Sequence, residues 1–237
     1  IGPFMSFTIF KDMPFNQMLL IVLIIMAVTT VSFLFVKTNN SYSKDRKVTF
    51  KLLDKKAAVM SPGILILGFT QSTIFAFIGT YTLINGYYLA ASLYFIVYSI
   101  ATMLTRPITG RILDYRGPVG LIIATIIFNA IGYYILGGAV NDWMVLISAA
   151  IIGLGMGNYQ SIAQATCVSL GDKDNIGLST STFFISLETG LGFGPLILGA
   201  VAAYVGYGSM YQLMVIPIAV ALIHFIFFVK PKLTRPV

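Results

Sequence analysis

One acid stands inside a run of residues long enough to cross a bilayer. The stretch from Ile176 to Gly199 is apolar or small except for Glu188. About 20 such residues span the roughly 30 Å hydrocarbon core of a membrane. Glu188 follows the charged turn Asp172, Lys173 and Asp174 by about 13 residues, a depth of roughly 20 Å in a helix. A lone charged carboxylate at that depth is costly, so something must neutralise it: a proton, a cationic ligand, a partner or water. Every Lys and Arg of the chain falls in a loop or at a membrane edge. Two readings stay open: Glu188 takes up protons or a cationic substrate, or it stays protonated and bonded to a neighbouring hydroxyl or backbone carbonyl.

Other polar and aromatic residues fall at helical spacing, so that they share faces. Gln71, Phe75, Ile78, Thr82 and Asn85 form one such row, and Tyr94, Tyr98 and Thr102 another. Gly153, Gly157, Gln160 and Gln164 form a third, with Asn158 and Tyr159 beside it, and Ser181 and Phe184 share the face of Glu188. Aromatic rings with a few amides make a broad, weakly directional site for amphiphilic or cationic molecules. Lipid contact or interhelix packing is the alternative for each aromatic, and the better account of most of them. Tyr87, Tyr88 and Trp143 read as interfacial belts. Beyond Glu188, Gly190, Gly194 and Pro195 mark a helix that packs closely and bends, because Pro195 lacks a donor and clashes with the Leu191 carbonyl. His224, near Lys230, reads as a snorkelling or hydrogen-bonded histidine rather than a relay. No metal-ligand cluster, hydrolase elbow or phosphate loop is present, and a single cysteine, Cys167, excludes an internal disulfide framework. No cofactor or metal is expected.

A further constellation is Arg106-Pro-Ile-Thr-Gly110-Arg111-Ile-Leu-Asp114-Tyr-Arg116-Gly117. Gly110 and Asp114 share a helix face, where glycine admits a neighbouring helix and aspartate can bond a helix N-terminus or an arginine. That suits a latch made in one conformation and broken in another. Basic anchoring of a tight turn explains the same residues.

The elements that must hold these groups are seven spans. Hydrophobic residues make up 57% of the 237 residues and charged residues 10%, against about 25% charged in a soluble domain. The spans run about 15–36, 58–83, 90–104 with a helical continuation to 113, 119–139, 143–170, 176–204 and 210–229. Ser61-Pro62 reads as a helix start with a hydroxyl cap. Numbering the wet segments alternately places fourteen of the 15 bases on one side, which is therefore expected to be cytoplasmic, with the C-terminus there too. The net charge of +7 thus reflects membrane topology, not nucleic-acid affinity. Ile1–Phe10 resembles the end of a preceding helix.

Gly-x-x-x-Asp-x-x-Gly after a span, preceded by Arg-Pro, resembles the cytoplasmic loop motif of the major facilitator superfamily. Gly190-x-Gly-x-Gly194-Pro195-x-x-x-Gly199 is similar to the glycine-proline motif of its antiporters, and the basic linker is similar to the loop joining its two halves. Pro118-Val119 depart from the family's usual basic residues after the loop motif. The resemblance implies an all-α polytopic membrane bundle: a C-terminal six-helix half with one extra N-terminal helix. Residues 1–36 would be the end of helix five and helix six, 37–57 a cytoplasmic linker, 58–229 helices seven to twelve, and 230–237 a tail. It implies a multi-pass plasma-membrane transporter, not an enzyme, whose partners are the missing N-terminal half, lipid, protons and a small-molecule substrate. Proton-coupled efflux of small amphiphilic or cationic molecules is the expected activity. Import of a sugar or metabolite by symport is the alternative. A membrane enzyme using Glu188 and His224 suffers from their different depths, and a scaffold has no positive feature.

Overall fold

The computed structural model describes residues 13–35, 53–172 and 175–233. The apolar stub 1–10, most of the basic linker, Lys173, Asp174 and Arg235 lie outside them. The described residues are helical and contain no strand. Seven helices are long and apolar enough to cross a membrane. They are α1 (Phe15–Leu34), α2 (Ala57–Ile84), α3 (Tyr88–Arg116), α4 (Pro118–Gly137), α5 (Asp142–Leu170), α6 (Ile176–Val205) and α7 (Tyr207–Leu233). α1 belongs to one compact unit and α2–α7 to another. In α1, Thr29, Thr30 and Ser32 return their hydroxyls to carbonyls one turn back, which satisfies them without a partner helix.

The helix ends follow from local chemistry. Gly117 and Gly206 adopt φ of 74° and 80°, a region other residues rarely enter, so α3 and α6 stop there. Pro118 then opens α4 at no cost in hydrogen bonding. Asn141 accepts from the Met144 N–H and caps α5, while Asp142 accepts from the Ala90 N–H and ties the start of α3 to that cap. The expected cap at Ser61 is not made. A 3-10 turn, Ala57–Met60, already leads into the helix, and the Ser61 hydroxyl is buried without a partner.

Lipid tails are as apolar as leucine, so helices associate through close packing and hydrogen bonds rather than through expulsion of water. The largest contact is α2 against α6. A Cβ on Gly68 would come within 2.6 Å of the Leu187 carbonyl oxygen, and one on Gly190 within 2.7 Å of the Phe69 nitrogen. One on Gly194 would strike Ser72. These three glycines let the two backbones touch. α5 meets α4 in the same way: a Cβ on Gly155 would come within 2.6 Å of the Asn129 nitrogen. There α5 widens into a π turn, Gly153–Gly157. The interior is stitched by hydroxyls. Tyr133 donates to the Thr70 carbonyl at 2.6 Å, Tyr211 to the Thr73 carbonyl at 3.2 Å and Tyr81 to the Leu136 carbonyl at 2.9 Å.

The seam predicts a contrast between neighbouring glycines. Gly190→Ala should destabilise the protein by about 1–3 kcal/mol, read as a fall in Tm of the detergent-purified protein. Gly192→Ala, where a Cβ meets nothing within 4 Å, should leave Tm unchanged. Equal shifts at the two positions would contradict the seam.

Candidate functional site

Glu188 lies 12 residues from the start of α6 and 17 from its end. It is therefore near the middle of the span. Its residue is exposed on the six-helix unit. Among the described residues no basic side chain pairs with it. The packing of α6 explains its direction. Leu187, Gly190 and Gly194 are buried against α2, and each residue advances roughly 100° around a helix. Glu188 is turned away from that seam, in a row with Ser181, Phe184, Leu191 and Pro195. Ser181 and Phe184 are exposed, and Leu191 and Pro195 partly so.

Leu191 and Pro195 form one wall of a groove of about 300 Å³, and Ser72, Phe75 and Ala76 of α2 form the other. Phe75 is 55% exposed and stacks on Phe95 of α3, with ring centroids 6.2 Å apart and planes within 5°. The open face therefore combines an acid, a shallow apolar groove and accessible aromatic rings. Such a face can hold a flat or greasy cation by charge and ring contact.

The structure divides the residues expected at this site. Glu188, Phe75 and Phe184 lie on exposed positions. Gln71 and Tyr94 do not line the open face; they are 1% and 0% exposed, and neither side chain's polar atoms have a partner. Tyr98 and Gln160 are half-buried. Asn158 is buried and engaged between helices. Its amide donates to Thr105 at 2.8 Å and to the Leu154 carbonyl at 3.0 Å, and its carbonyl accepts from Thr109 at 3.1 Å. It joins α3 to α5, so helix bonding and not ligand binding accounts for it.

Gly190 and Gly194 sit in the seam, and α6 continues unbroken across Pro195. Arg106, Gly110, Arg111 and Asp114 occupy the last three turns of α3, all exposed, with Gly117 at the turn into α4. A Cβ at Gly110 would meet open space, and Asp114 pairs with none of the arginines of this helix. His224 stacks on Phe228 at 5.5 Å, and its Nδ1 has no hydrogen-bond partner; the hydrogen-bonded form of the expectation is replaced by ring packing. Tyr88 and Trp143 are 69% and 67% exposed. Among the described residues no group of three His, Cys, Asp or Glu could hold a metal.

The family model described as the Major Facilitator Superfamily matches residues 60–237. The chain belongs to the major facilitator superfamily. It is accordingly a secondary transporter, in a family of transporters rather than enzymes. No individual curated protein matches it.

One residue of this transporter escapes sequence reasoning. Asp54 looks like a counterion in a basic linker, yet it is 5% exposed. Its carboxylate accepts from the Ser179 hydroxyl at 2.7 Å, the Asp172 N–H at 2.8 Å and the Lys56 N–H at 2.9 Å, with Ala57 at 3.4 Å. Its own N–H donates to the Thr182 hydroxyl at 2.8 Å. Asp54 thus fastens the entry of α2 to the α5–α6 turn and to the first turns of α6. Asp172, Ser179 and Thr182 are more than 100 positions away in sequence, so no local pattern shows the anchor. Burial pushes its pKa up, but the four donated hydrogen bonds outweigh that and hold it at about 2, below its ordinary 3.8.

The folded state therefore binds this proton more weakly than the unfolded one. The contribution of Asp54 is fully present above pH 3.8 and is lost as pH falls through about 2. Asp54→Asn should cost about 1–3 kcal/mol at neutral pH, the penalty for weakening buried charged hydrogen bonds. The Tm gap between variant and wild type should close on acidification. A gap that is absent at neutral pH, or constant down to pH about 2, would contradict this role.

Proposed function

We infer that the protein exports small amphiphilic or cationic organic molecules across the cell membrane in exchange for protons, by alternating access. The observation that carries this is the position of Glu188: an acid midway along a spanning helix, exposed, without a basic partner among the described residues, beside an apolar groove and aromatic rings. An open face bearing an acid is unfavourable against lipid. It is well placed if a second bundle covers it and water enters the gap from one side at a time.

In this reading α2–α7 correspond to helices seven to twelve, and α1 to the last helix of the other half. Residues 37–57 join the halves on the cytoplasmic side, where the bases and the C-terminus also lie. The deprotonated carboxylate of Glu188 holds the cation from the cytoplasm. After the bundles rock, a proton from outside takes its place and the cation leaves. Return to the inward-open state carries the proton in. Charge on Glu188 is thereby balanced in each bound state. The exposed residues Arg106, Gly110, Arg111 and Asp114, with Gly117 at the turn, close the cytoplasmic end against the opposite half. Export rather than import is favoured by the clustering of Gly190, Gly192, Gly194 and Pro195 beside the acid, which the antiporter branch of the family resembles.

Glu188→Gln should abolish substrate-driven proton movement in proteoliposomes while the protein remains folded, and Glu188→Asp should retain part of it. Unchanged coupling and an unchanged substrate range in Glu188→Gln would refute the assignment. Accumulation of substrate with the inward proton gradient would select symport instead.

A further inference from the structure

Gln71 poses a physical problem that the exchange at Glu188 does not solve. Its side chain is buried in the bilayer-spanning part of α2, and neither its amide nitrogen nor its carbonyl oxygen has a hydrogen-bond partner. A buried polar group left unmatched costs about 1–3 kcal/mol, and this one carries two donors and an acceptor. Such an amide is free to bond any ligand group that reaches it.

What covers Gln71 is informative. Phe75 follows it by one turn on the same face. Long side chains on a helix lean toward its N-terminus, so a residue covers the turn before its own Cα. The Phe75 ring therefore roofs the turn of Gln71 and Ser72. Ser72 and Phe75 line the groove with Leu191 and Pro195. Phe95 stacks flat on Phe75 and meets Tyr94 edge-on at 5.5 Å. Tyr94 is 0% exposed and its hydroxyl is also unpartnered. Two neighbouring helices thus each bury an unmatched polar group within one turn of a ring of the stacked pair. Few contacts restrain the outer ring, since Phe75 is 55% exposed.

We propose that Phe75 and Phe95 form an aromatic gate over a hydrogen-bonding subsite centred on Gln71, which receives a hydroxyl or carboxamide group of the substrate when the rings part. The subsite opens into the groove beside Glu188 and so rests on the exporter assignment. It adds a specificity element: charge is read at Glu188, and a neutral polar group is read behind Phe75. An amide recognises groups that both donate and accept, and an apolar isostere leaves it unmatched.

The test uses the intact transporter in proteoliposomes and two aryl-ammonium probes, one with a terminal carboxamide and the other with an isopropyl group in its place. Wild type should bind the carboxamide probe more tightly. Gln71→Leu removes only unpartnered polar atoms, so it should fold normally and should cut that preference by roughly threefold to tenfold. Glu188→Gln should weaken both probes alike, which separates failure of the subsite from failure of the cation site. Access is read independently of transport: Gln71→Cys should react with a small methanethiosulfonate reagent faster when combined with Phe75→Ala. The buried native Cys167 is first replaced by alanine. Equal affinities in wild type, or a preference that survives Gln71→Leu, would overturn the proposal. Faster labelling with a preference that survives Gln71→Leu would show that the space is reachable but does not read the polar group, and would overturn it as well.

Discussion

Close approach of α2 and α6 at Gly68, Gly190 and Gly194 fixes the rotation of α6 about its own axis. In a bilayer the hydrophobic effect does not choose which face of a helix packs inward, because lipid and leucine are equivalent partners. Backbone contact does choose. Once Leu187, Gly190 and Gly194 are committed to the seam, the direction of Glu188 follows from helix geometry. The acid points to the open side, and so does the row from Ser181 to Pro195. The cost of carrying a carboxylate within the span thus falls on one face of the unit, where a covering bundle and water can relieve it.

A second constraint operates at the basic end of the bundle. Asp54 holds the start of α2 and the first turns of α6 together through charged hydrogen bonds to Ser179 and to the backbone of Asp172, Lys56 and Ala57. The glycine seam and this anchor act on the same two helices at different depths. Together they tie α2 to α6 at two levels. In the proposed rocking motion this pairing would keep Ser72 and Phe75 opposite Leu191 and Pro195, which line the groove here.

The seven spans and the membrane class were legible in the sequence because long apolar runs punctuated by glycine, proline and charge leave little freedom. The middle of α6 was legible for the same reason: a single acid in an apolar run stands out, and the clustered glycines announce close packing. Helix faces were less legible. In a soluble helix the polar side marks the exterior, but here both faces are apolar, so Tyr94 and Gln71 gave no sign that they turn inward. Asn158 was visible as polar, yet its bonds to Thr105 and Thr109 depend on how α3 crosses α5. Asp54 was hidden entirely, since its worth lies in donors from Asp172 and Ser179, which only the folded chain brings to it.

The most direct measurement asks which solvent the open face meets. Glu188→Cys and Phe193→Cys can be compared in the intact transporter in membranes, since Phe193 is 61% exposed on the same helix but roughly 140° around it. A nitroxide attached at each position reports collision with a water-soluble paramagnetic complex and with oxygen. The account predicts that the label in Glu188→Cys collides chiefly with the water-soluble complex, and that the label in Phe193→Cys collides chiefly with oxygen. A label in Glu188→Cys that meets oxygen alone, as a lipid-facing site does, would contradict it.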